Sequence, residues 1–399
     1  MTQQQWIQPR RPWRRYPRPV RGCGVLRVRP PRTFVVFAIL AGFWATTLAQ
    51  TPFIADSELR NRLRAALGRG NSTLRVENLS GMQFLLAENA NIASLNGIEH
   101  ASSLDLLQLY RNQIIDVQPL ASLRKLSWLD LEHNHVRDLG PLTELRELLH
   151  LNLQSNRIID LNPLKDLVHL QTLWAGNNSI RELLPLANLR KLSDLVLARN
   201  RIHDLTPLTN LVHLRKLRLS KNKVENVGPL ADLRDLEYLS FADNDVVDLA
   251  PLKSMTHLVQ LAAHGNRLHD LEPLRNLAAL RSLRLTDNQI ERIDGLAGLH
   301  DLKELRISNN QVSDLRPIAA IGGLQVLEAG HNRIHDLGPL TSAEQLEVLQ
   351  LPGNGISDLA ALMELNRLEV LEIWDNPLSA TALNQQIPLL QSRGVEVIW

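Results

Sequence analysis

The sequence predicts an α/β solenoid, in which a curved parallel β-sheet is backed by short 3₁₀ or extended convex segments and capped at both ends. Three observations predict this fold. An Asn recurs every 22 residues, a pair of leucines or related aliphatic residues precedes it at a fixed distance, and a Pro usually follows it seven residues later. Such a fixed period is typical of stacked repeats, so the 399 residues are not expected to divide into two or three globular domains.

The Asn column runs through the body of the chain without an insertion. Its thirteen members are Asn112, Asn134, Asn156, Asn178, Asn200, Asn222, Asn244, Asn266, Asn288, Asn310, Asn332, Asn354 and Asn376. An Asp stands four residues after the Asn in nine of the first twelve units, and a Pro stands seven residues after it in ten of them. Asp suits a local turn bond to a backbone N–H, and Pro suits a first helical turn, so these columns predict the short convex segments.

The aliphatic columns predict the core. In a strand the two residues of a Leu-x-Leu pair point to one face, and the residues between and beside them point to the other. Burying one such side chain contributes roughly 1.5–3 kcal/mol, while ordering the chain costs roughly 1.5 kcal/mol per residue. One unit alone is therefore not expected to fold, and neighbouring units must stack. In the unit around Asn134 the inward residues are Leu126, Leu129, Leu131, Val136, Leu139, Leu142 and Leu145.

The pattern Leu126-x-x-Leu129-x-Leu131-x-x-Asn134 resembles leucine-rich repeat proteins, in the 22-residue subclass of bacterial internalins and of the regulatory subunit of type 1 protein phosphatase. The resemblance covers roughly residues 80–399. It implies a leucine-rich repeat solenoid in which each Asn amide bonds the backbone of its own loop and of the neighbouring loop.

Both ends of the repeat array carry cap-like segments. Residues 56–68 have the pattern of a short amphipathic helix, and Ala90 stands where the first unit would have its Asn. At the other end a helix is predicted over 380–391, with Gly394 as its stop and a last strand over 395–397. The predicted divisions are 1–49 as signal peptide or N-terminal membrane anchor, 50–99 as N-terminal cap and degenerate first repeat, 100–376 as repeats, and 377–399 as C-terminal cap.

The N-terminal segment predicts export. Residues 1–49 contain nine Arg and no acidic residue, and an apolar run over 34–45 leads to the small-residue exit Thr47-Leu48-Ala49. This order is typical of a secretory signal peptide. Residues 33–49 are marginal in length for a membrane span, and an uncleaved N-terminal membrane anchor is the alternative. In both cases the basic end stays cytoplasmic and the body is exported, so the sequence predicts a secreted or cell-surface protein.

Composition narrows the function classes. Nine of the 44 basic residues lie in 1–49, so the rest of the chain carries 35 basic and 42 acidic residues, a net charge of about −7. This balance disfavours nucleic acid as the partner. The single Cys excludes an intrachain disulfide and a thiolate zinc site. No Gly-rich phosphate loop or Ser elbow is present, so neither a cofactor nor enzymatic activity is predicted.

The candidate binding surface is the outward strand face, taken as the concave face of the solenoid. Five of the six Trp and Tyr residues of the body fall at its outward positions, and exposed aromatics beside charges are typical anchors of protein interfaces. The alternative is that large residues only cover gaps between strands. The predicted ligand-binding residues are Tyr110, Trp128, Asp130, His150, Asn152, Trp174, Lys216, Arg218, Tyr238, Arg284 and Arg306.

A metal site is disfavoured by the spacing of the histidines. His169, His213 and His257 share a column but stand two units apart, near 10 Å, too far to share an ion. The one compact alternative consists of Asp130, Glu132, His133 and His150.

These observations predict a non-catalytic, monomeric scaffold that binds a protein or peptide ligand along the concave face, with acidic groups of the ligand near Arg218. Membrane contact is predicted only through the N-terminal segment if it stays uncleaved. The alternative is an intracellular or periplasmic regulatory subunit that binds an enzyme through the same face, and it requires that residues 33–49 not direct export.

Overall fold

A computed structural model of the protein describes residues 53–399, apart from 69 and 71. The signal or anchor predicted for 1–49 lies outside these residues. Within them, no helix combines the length and the apolar character needed to cross a membrane.

The described chain forms one open sheet of fifteen parallel strands that follow one another in sequence order. Each repeat strand pairs with the strand 22 residues further on, so that Leu129 lies opposite Leu151. The strands are β1 (Phe84–Leu86), β2 (Leu106–Gln108), β3 (Trp128–Asp130), β4 (His150–Asn152), β5 (Thr172–Trp174), β6 (Asp194–Val196), β7 (Lys216–Arg218), β8 (Tyr238–Ser240), β9 (Gln260–Ala262), β10 (Ser282–Arg284), β11 (Glu304–Arg306), β12 (Val326–Glu328), β13 (Val348–Gln350), β14 (Val370–Glu372) and β15 (Glu396–Ile398).

Short 3₁₀ helices back the sheet, as the Pro column predicts. Ten of them carry the column's Pro in their first turn. The Asp column acts as expected: the Asp138 carboxylate accepts the N–H of Gly140 at 2.8 Å, and the same bond recurs in most units. The 3₁₀ helices are Val76–Asn78, Ile98–His100, Gln118–Ser122, Gly140–Leu142, Asn162–Leu164, Leu184–Leu186, Thr206–Leu208, Gly228–Leu230, Ala250–Ser254, Glu272–Leu274, Asp294–Gly298, Arg316–Ala320, Gly338–Ser342 and Ala360–Glu364.

The core is one continuous aliphatic stack between the sheet and the 3₁₀ helices. All seven inward residues of the unit around Asn134 are buried, each with at most 1% of its surface exposed. Phe241 is the one aromatic side chain among the buried residues described, at the position where most other units have Leu.

The Asn column forms the expected ladder. Asn134 donates from Nδ2 to the carbonyl of Leu131 in its own loop and to that of Leu109 in the preceding loop, at 3.0 and 2.9 Å. Its Oδ1 accepts the N–H of Ile114 at 3.0 Å. An amide supplies both donors and the acceptor, which a carboxylate cannot do. The first unit has Ala90 in this column, and the Ala90 N–H is bonded instead by Asn112 Oδ1 at 3.1 Å.

The residue before each Asn takes a left-handed conformation. Arg111, His133 and Lys221 have φ of 55°, 53° and 59°, and Gly265 and Gly353 occupy the same column. This conformation costs a non-glycine residue roughly 1–2 kcal/mol. The ladder holds the turn in place, and these side chains form a row along one edge of the sheet.

Both caps are present. Helix α1 (Ser57–Ala66) begins after Asp56, whose carboxylate accepts the N–H groups of Glu58 and Leu59. Gly97 has φ +99°, and a Cβ there would lie 2.6 Å from Ile54, so the N-terminal cap packs closely on the first repeat.

At the C-terminus the predicted helix contains a π-helical turn, Ala382–Gln386, before α2 (Ile387–Ser392). The prediction that the last strand covers 395–397 is wrong by one residue, because the chain leaves the helix through Gly394, at φ +90°, and Glu396 is the first residue to pair with β14.

Candidate functional site

The concave face consists of the strand residues on either side of the inward leucine. In β3 the side chain of Leu129 is fully buried, while Trp128 and Asp130 on either side of it stay partly exposed. The same pattern places His150, Trp174, Arg218, Tyr238, Arg284 and Arg306 on this face. Tyr110 and Trp374 lie two residues beyond their strands, and neither is part of the core.

The aromatic cluster consists of Trp128, His150 and Trp174, which lie on strands β3, β4 and β5. The rings of Trp128 and His150 lie 4.5 Å apart between centroids, in a tilted arrangement. His150 Nδ1 lies 3.0 Å from the Thr172 hydroxyl, which fixes the ring. Burial lowers the pKa of His150, so the imidazole is neutral near pH 7 and stacks on Trp128 as an uncharged ring.

Polar side chains beside the cluster are held by one another. The Asn152 amide donates to Glu132 Oε2 at 3.0 Å, and Asp130 Oδ1 accepts the Glu132 N–H at 2.9 Å. Asn152 Oδ1 also accepts the N–H of Gln154 at 3.2 Å. The predicted residues Asp130 and Asn152 therefore form the ordered polar border of the aromatic cluster.

Two polar atoms near Trp174 have no partner. Trp174 Nε1 on β5 and Asp194 Oδ1 on the adjacent strand β6 are buried, and neither makes a hydrogen bond to the described residues. Leaving a buried donor or acceptor unpaired costs about 1–3 kcal/mol. Asp194 was not among the predicted site residues, although its position opposite Thr172 could be read from the 22-residue register.

The middle of the face is cationic. The Arg218 guanidinium lies over the Tyr238 ring, 4.8 Å from its centroid. Lys216 is exposed and lies opposite Tyr238 in the strand register. The predicted residues Lys216, Arg218 and Tyr238 are thus brought together on β7 and β8.

The predicted ligand-binding residues Arg284 and Arg306 are both paired with carboxylates. Glu304, which is not among the predicted site residues, lies between them and binds Arg284 Nη2 at 2.9 Å and also Arg306 Nε. Arg306 Nη1 further contacts Glu328 at 2.8 Å. This set, here called the Arg–Glu network, neutralises its own charge.

The two carboxyls of the Arg–Glu network respond differently to their surroundings. The pKa of Glu304 is lowered. Burial favours a higher pKa, but hydrogen bonds from Ser282 and Arg306 and the charges of Arg284 and Arg306 outweigh burial. Burial dominates at Glu328 and raises its pKa, although Arg306 opposes the change.

Apolar side chains extend the aromatic end of the face. Phe84 and Leu86 on β1 are 60% and 45% exposed, and neither is among the predicted site residues. The signal for them was Leu85, an inward residue in phase with the later units, which places Phe84 and Leu86 on the outward face.

The alternative metal group gains no support from its geometry. In the described part of the chain, no three His, Cys, Asp or Glu side chains could hold an ion together. Glu132 lies 3.6 Å from His133, but its other oxygen is occupied by Asn152.

Comparison with known proteins places this geometry in a family. Residues 278–320 match the family described as leucine-rich repeats (2 copies). No curated protein matches the sequence. The structure is similar to an internalin (inlF) of Listeria monocytogenes, with 30% identity, a TM-score of 0.78, and coverage of 80% of this chain and 96% of that one.

Two further solved structures share the fold. A leucine-rich repeat protein of Leptospira interrogans is 23% identical, with a TM-score of 0.76, and the match covers 81% of this chain and 85% of that one. The ectodomain of the plant membrane receptor kinase GASSHO1/SCHENGEN3 from Arabidopsis thaliana, solved in complex with CASPARIAN STRIP INTEGRITY FACTOR 2, is 21% identical, with a TM-score of 0.62 and coverage of 77% of this chain and 43% of that one.

The 22-residue period, the Asn ladder, the fifteen-stranded parallel sheet and the similarity to the Listeria internalin lead to one conclusion: this chain belongs to the leucine-rich repeat family and is of the internalin-like kind.

Proposed function

We propose that the protein is a non-catalytic scaffold that binds a protein or peptide ligand along its concave face. The observation that carries the proposal is the aromatic cluster of Trp128, His150 and Trp174, which lies outside the aliphatic core and remains partly exposed. The core columns are already filled by leucine and its relatives, so core packing does not require these rings.

The cluster has the properties of an interface anchor. Trp and Tyr supply large contact areas at low entropic cost, and such residues near the centre of an interface often contribute more than 2 kcal/mol each. The stack of Trp128 on His150 and the bond from His150 to Thr172 order the rings before a ligand arrives. A ligand therefore loses little additional side-chain entropy on binding there.

The charged groups indicate what the ligand offers in the middle of the face. Lys216 and Arg218 favour an acidic group further along the face. Because Glu304 neutralises Arg284 and Arg306, we assign the acidic group to the β7–β8 region rather than to the Arg–Glu network.

The test is affinity capture from host-cell or surface extracts, followed by affinity measurement with the captured ligand. Trp128→Ala and Trp174→Ala together should weaken binding at least about thirtyfold, the equivalent of 2 kcal/mol, while the unfolding midpoint changes little. Trp399→Ala is the matched control, since Trp399 is exposed and lies beyond the last strand. Equal affinity of the double variant and the control would refute the concave-face proposal.

We also propose that the chain is exported and acts at the cell surface or outside the cell as a monomer, with the divisions 1–49, 50–99, 100–376 and 377–399. The Arg-rich, apolar N-terminal segment supports this location. A reporter fused after residue 49 separates the proposal from the intracellular form of the regulatory-subunit alternative. An active reporter in the periplasm or the medium supports export. A reporter retained in the cytoplasm supports the intracellular subunit. Sedimentation of the purified protein tests the monomer.

A further inference from the structure

A cationic surface lies along the edge of the sheet, where the chain turns after each strand. It is built from three repeat positions: the residue before each ladder Asn, the residue after it, and the residue three positions after it. We call the part between Arg111 and Lys223 the lateral edge. Its eight exposed cations are Arg111, Arg137, Arg157, Arg181, Arg199, Arg201, Lys221 and Lys223.

These three positions form one continuous surface. His133, His135, Arg137, Arg157, Ile159 and side chains of the next unit line a single shallow groove of 690 Å³. Neighbouring units touch through the same positions elsewhere, because Arg267 binds Asp245 at 2.6 Å and Arg333 binds Gln311 at 2.9 Å. Side chains 22 residues apart along the edge therefore lie within contact distance.

The cations of the lateral edge are largely uncompensated. Of the eight, only Lys221 makes an ion pair within the described residues, with Asp243 at 3.6 Å. Glu225 is the one acidic residue in these three positions from Arg111 to Glu225. The next row contains the acidic residues Asp116, Asp138, Asp160, Glu182 and Asp204, and none of them forms an ion pair with these cations among the described residues.

Beyond Lys223 the charge of the same three positions reverses. In the units that follow, these positions contain only two basic residues, Arg267 and Arg333. The acidic residues there are Asp243, Asp245, Asp287, Glu291 and Asp375. The concentration of cations is thus confined to one segment of the edge, which spans six consecutive units. At the spacing between neighbouring strands, five steps extend over about 24 Å.

We propose that the lateral edge is a second binding surface, separate from the concave face, and that its ligand is a linear anionic polysaccharide. A ligand that engages cations over about 24 Å must carry repeated negative charge along an extended chain. Groove residues such as Ser155, Ser179 and Asn177 add hydroxyl and amide groups suited to sugar hydroxyls.

Two other polyanions fit the lateral edge less well. The three positions contain no Trp, Tyr or Phe from Arg111 to Glu225, so the bases of a single-stranded nucleic acid find no aromatic side chain to stack on. An acidic protein would be expected to bury an aromatic or apolar anchor, but only Ile115 and Ile159 are apolar here, and charged residues are depleted at the centre of protein interfaces.

The test measures binding of the full chain to a heparin-derived oligosaccharide of defined length at low ionic strength. Arg137, Arg157 and Arg181 are replaced together by Ser, the residue that other units already have at these positions, at 179, 313 and 357. We expect affinity to fall about tenfold, since exposed charge pairs each contribute modestly, and the remaining binding to weaken as salt rises. The control replaces Lys165, Arg190 and Lys191, which are exposed and lie outside the three edge positions, by Ser and should retain wild-type affinity.

A second measurement locates the bound oligosaccharide independently of the nine arginines in residues 1–49, since that segment contains no Lys. Lys221 and Lys223 should be protected from acetylation in the complex, whereas Lys165 and Lys191 should not. Equal loss of affinity in both triple variants, or no protection of Lys221 and Lys223, would overturn the proposed site. Tighter binding of an oligonucleotide or a polyglutamate of matched charge would overturn the choice of polysaccharide.

Discussion

Replacing Asn244 by Asp tests whether the amide ladder holds the solenoid together. Asn244 is buried, and its Nδ2 donates to the carbonyls of Phe241 at 2.8 Å and Leu219 at 3.1 Å. Its Oδ1 accepts the Val224 N–H at 2.9 Å. Aspartate has the same shape and keeps the acceptor, but it loses every bond that Nδ2 donates, including a third contact with the Ala242 carbonyl at 3.1 Å.

The cost can be worked out from these contacts. The lost hydrogen bonds contribute about 2 kcal/mol together. A buried carboxylate placed against the Leu219 and Phe241 carbonyls, which keep only Asn222 and Asn266 as side-chain donors, adds roughly 1–3 kcal/mol. We therefore expect the Asn244→Asp variant to lose about 3–5 kcal/mol of unfolding free energy. Because Asn244 lies in a central unit of a one-dimensional array, its loss should also separate the unfolding of the two halves.

The assay is urea denaturation followed by circular dichroism at pH 7 and pH 4. The new carboxyl should have a raised pKa in the folded state. The variant therefore regains stability below the unfolded pKa of about 3.9 and loses it as pH rises through the pKa of the folded state. The matched control is Asn210→Asp at an exposed position. If both variants unfold at the wild-type midpoint, the ladder does not stabilise the stack.

Three further predictions address the core, the N-terminal cap and the Arg–Glu network. Leu217→Ala removes a fully buried inward side chain and should cost about 2–5 kcal/mol in denaturant titration. Burial raises the pKa of Asp56, but the N–H groups of Leu59, Ala93, Ser94 and Glu58 outweigh it and lower the pKa. The Asp56 carboxylate therefore stabilises the fold above the unfolded pKa of about 3.9, and this contribution is lost as pH falls through the pKa of the folded state. The difference in unfolding free energy between wild type and Asp56→Asn should shrink under acid. Arg306→Gln removes the cation that opposes burial at Glu328, so the already raised pKa of that carboxyl should rise further in an NMR titration; an unchanged value would mean that Arg306 does not act on it.

Repetition explains why the sequence predicted the fold so well. Each structural position is represented a dozen times, so a single exception such as Arg292 in the Asp column does not obscure the pattern. The Asn ladder, the 3₁₀ segments and the aliphatic core all follow from columns with one dominant residue type. The C-terminal cap is unique in the chain, and there the predicted strand was displaced by one residue around Gly394.

The charges of the site were harder to predict because they depend on pairs rather than columns. Arg284 and Arg306 were identified correctly as outward residues, but their charge state depends on Glu304, which stands 20 residues after one and two residues before the other. In a 22-residue register both separations place side chains side by side on the face. The offsets were therefore present in the sequence, and a pairwise comparison of neighbouring units would have found the Arg–Glu network.

The same register separates the two proposed surfaces. Trp128 and His133 belong to the same unit. Trp128 lies on the outward face of a strand, whereas His133 lies in the turn at the edge of the sheet. Aromatic side chains concentrate on the concave face and uncompensated cations on the lateral edge. A ligand that relies on apolar contact and one that relies on repeated charge would therefore not compete for the same side chains. The Trp128/Trp174 variant and the Arg137/Arg157/Arg181 variant should each weaken one interaction and leave the other at wild-type affinity.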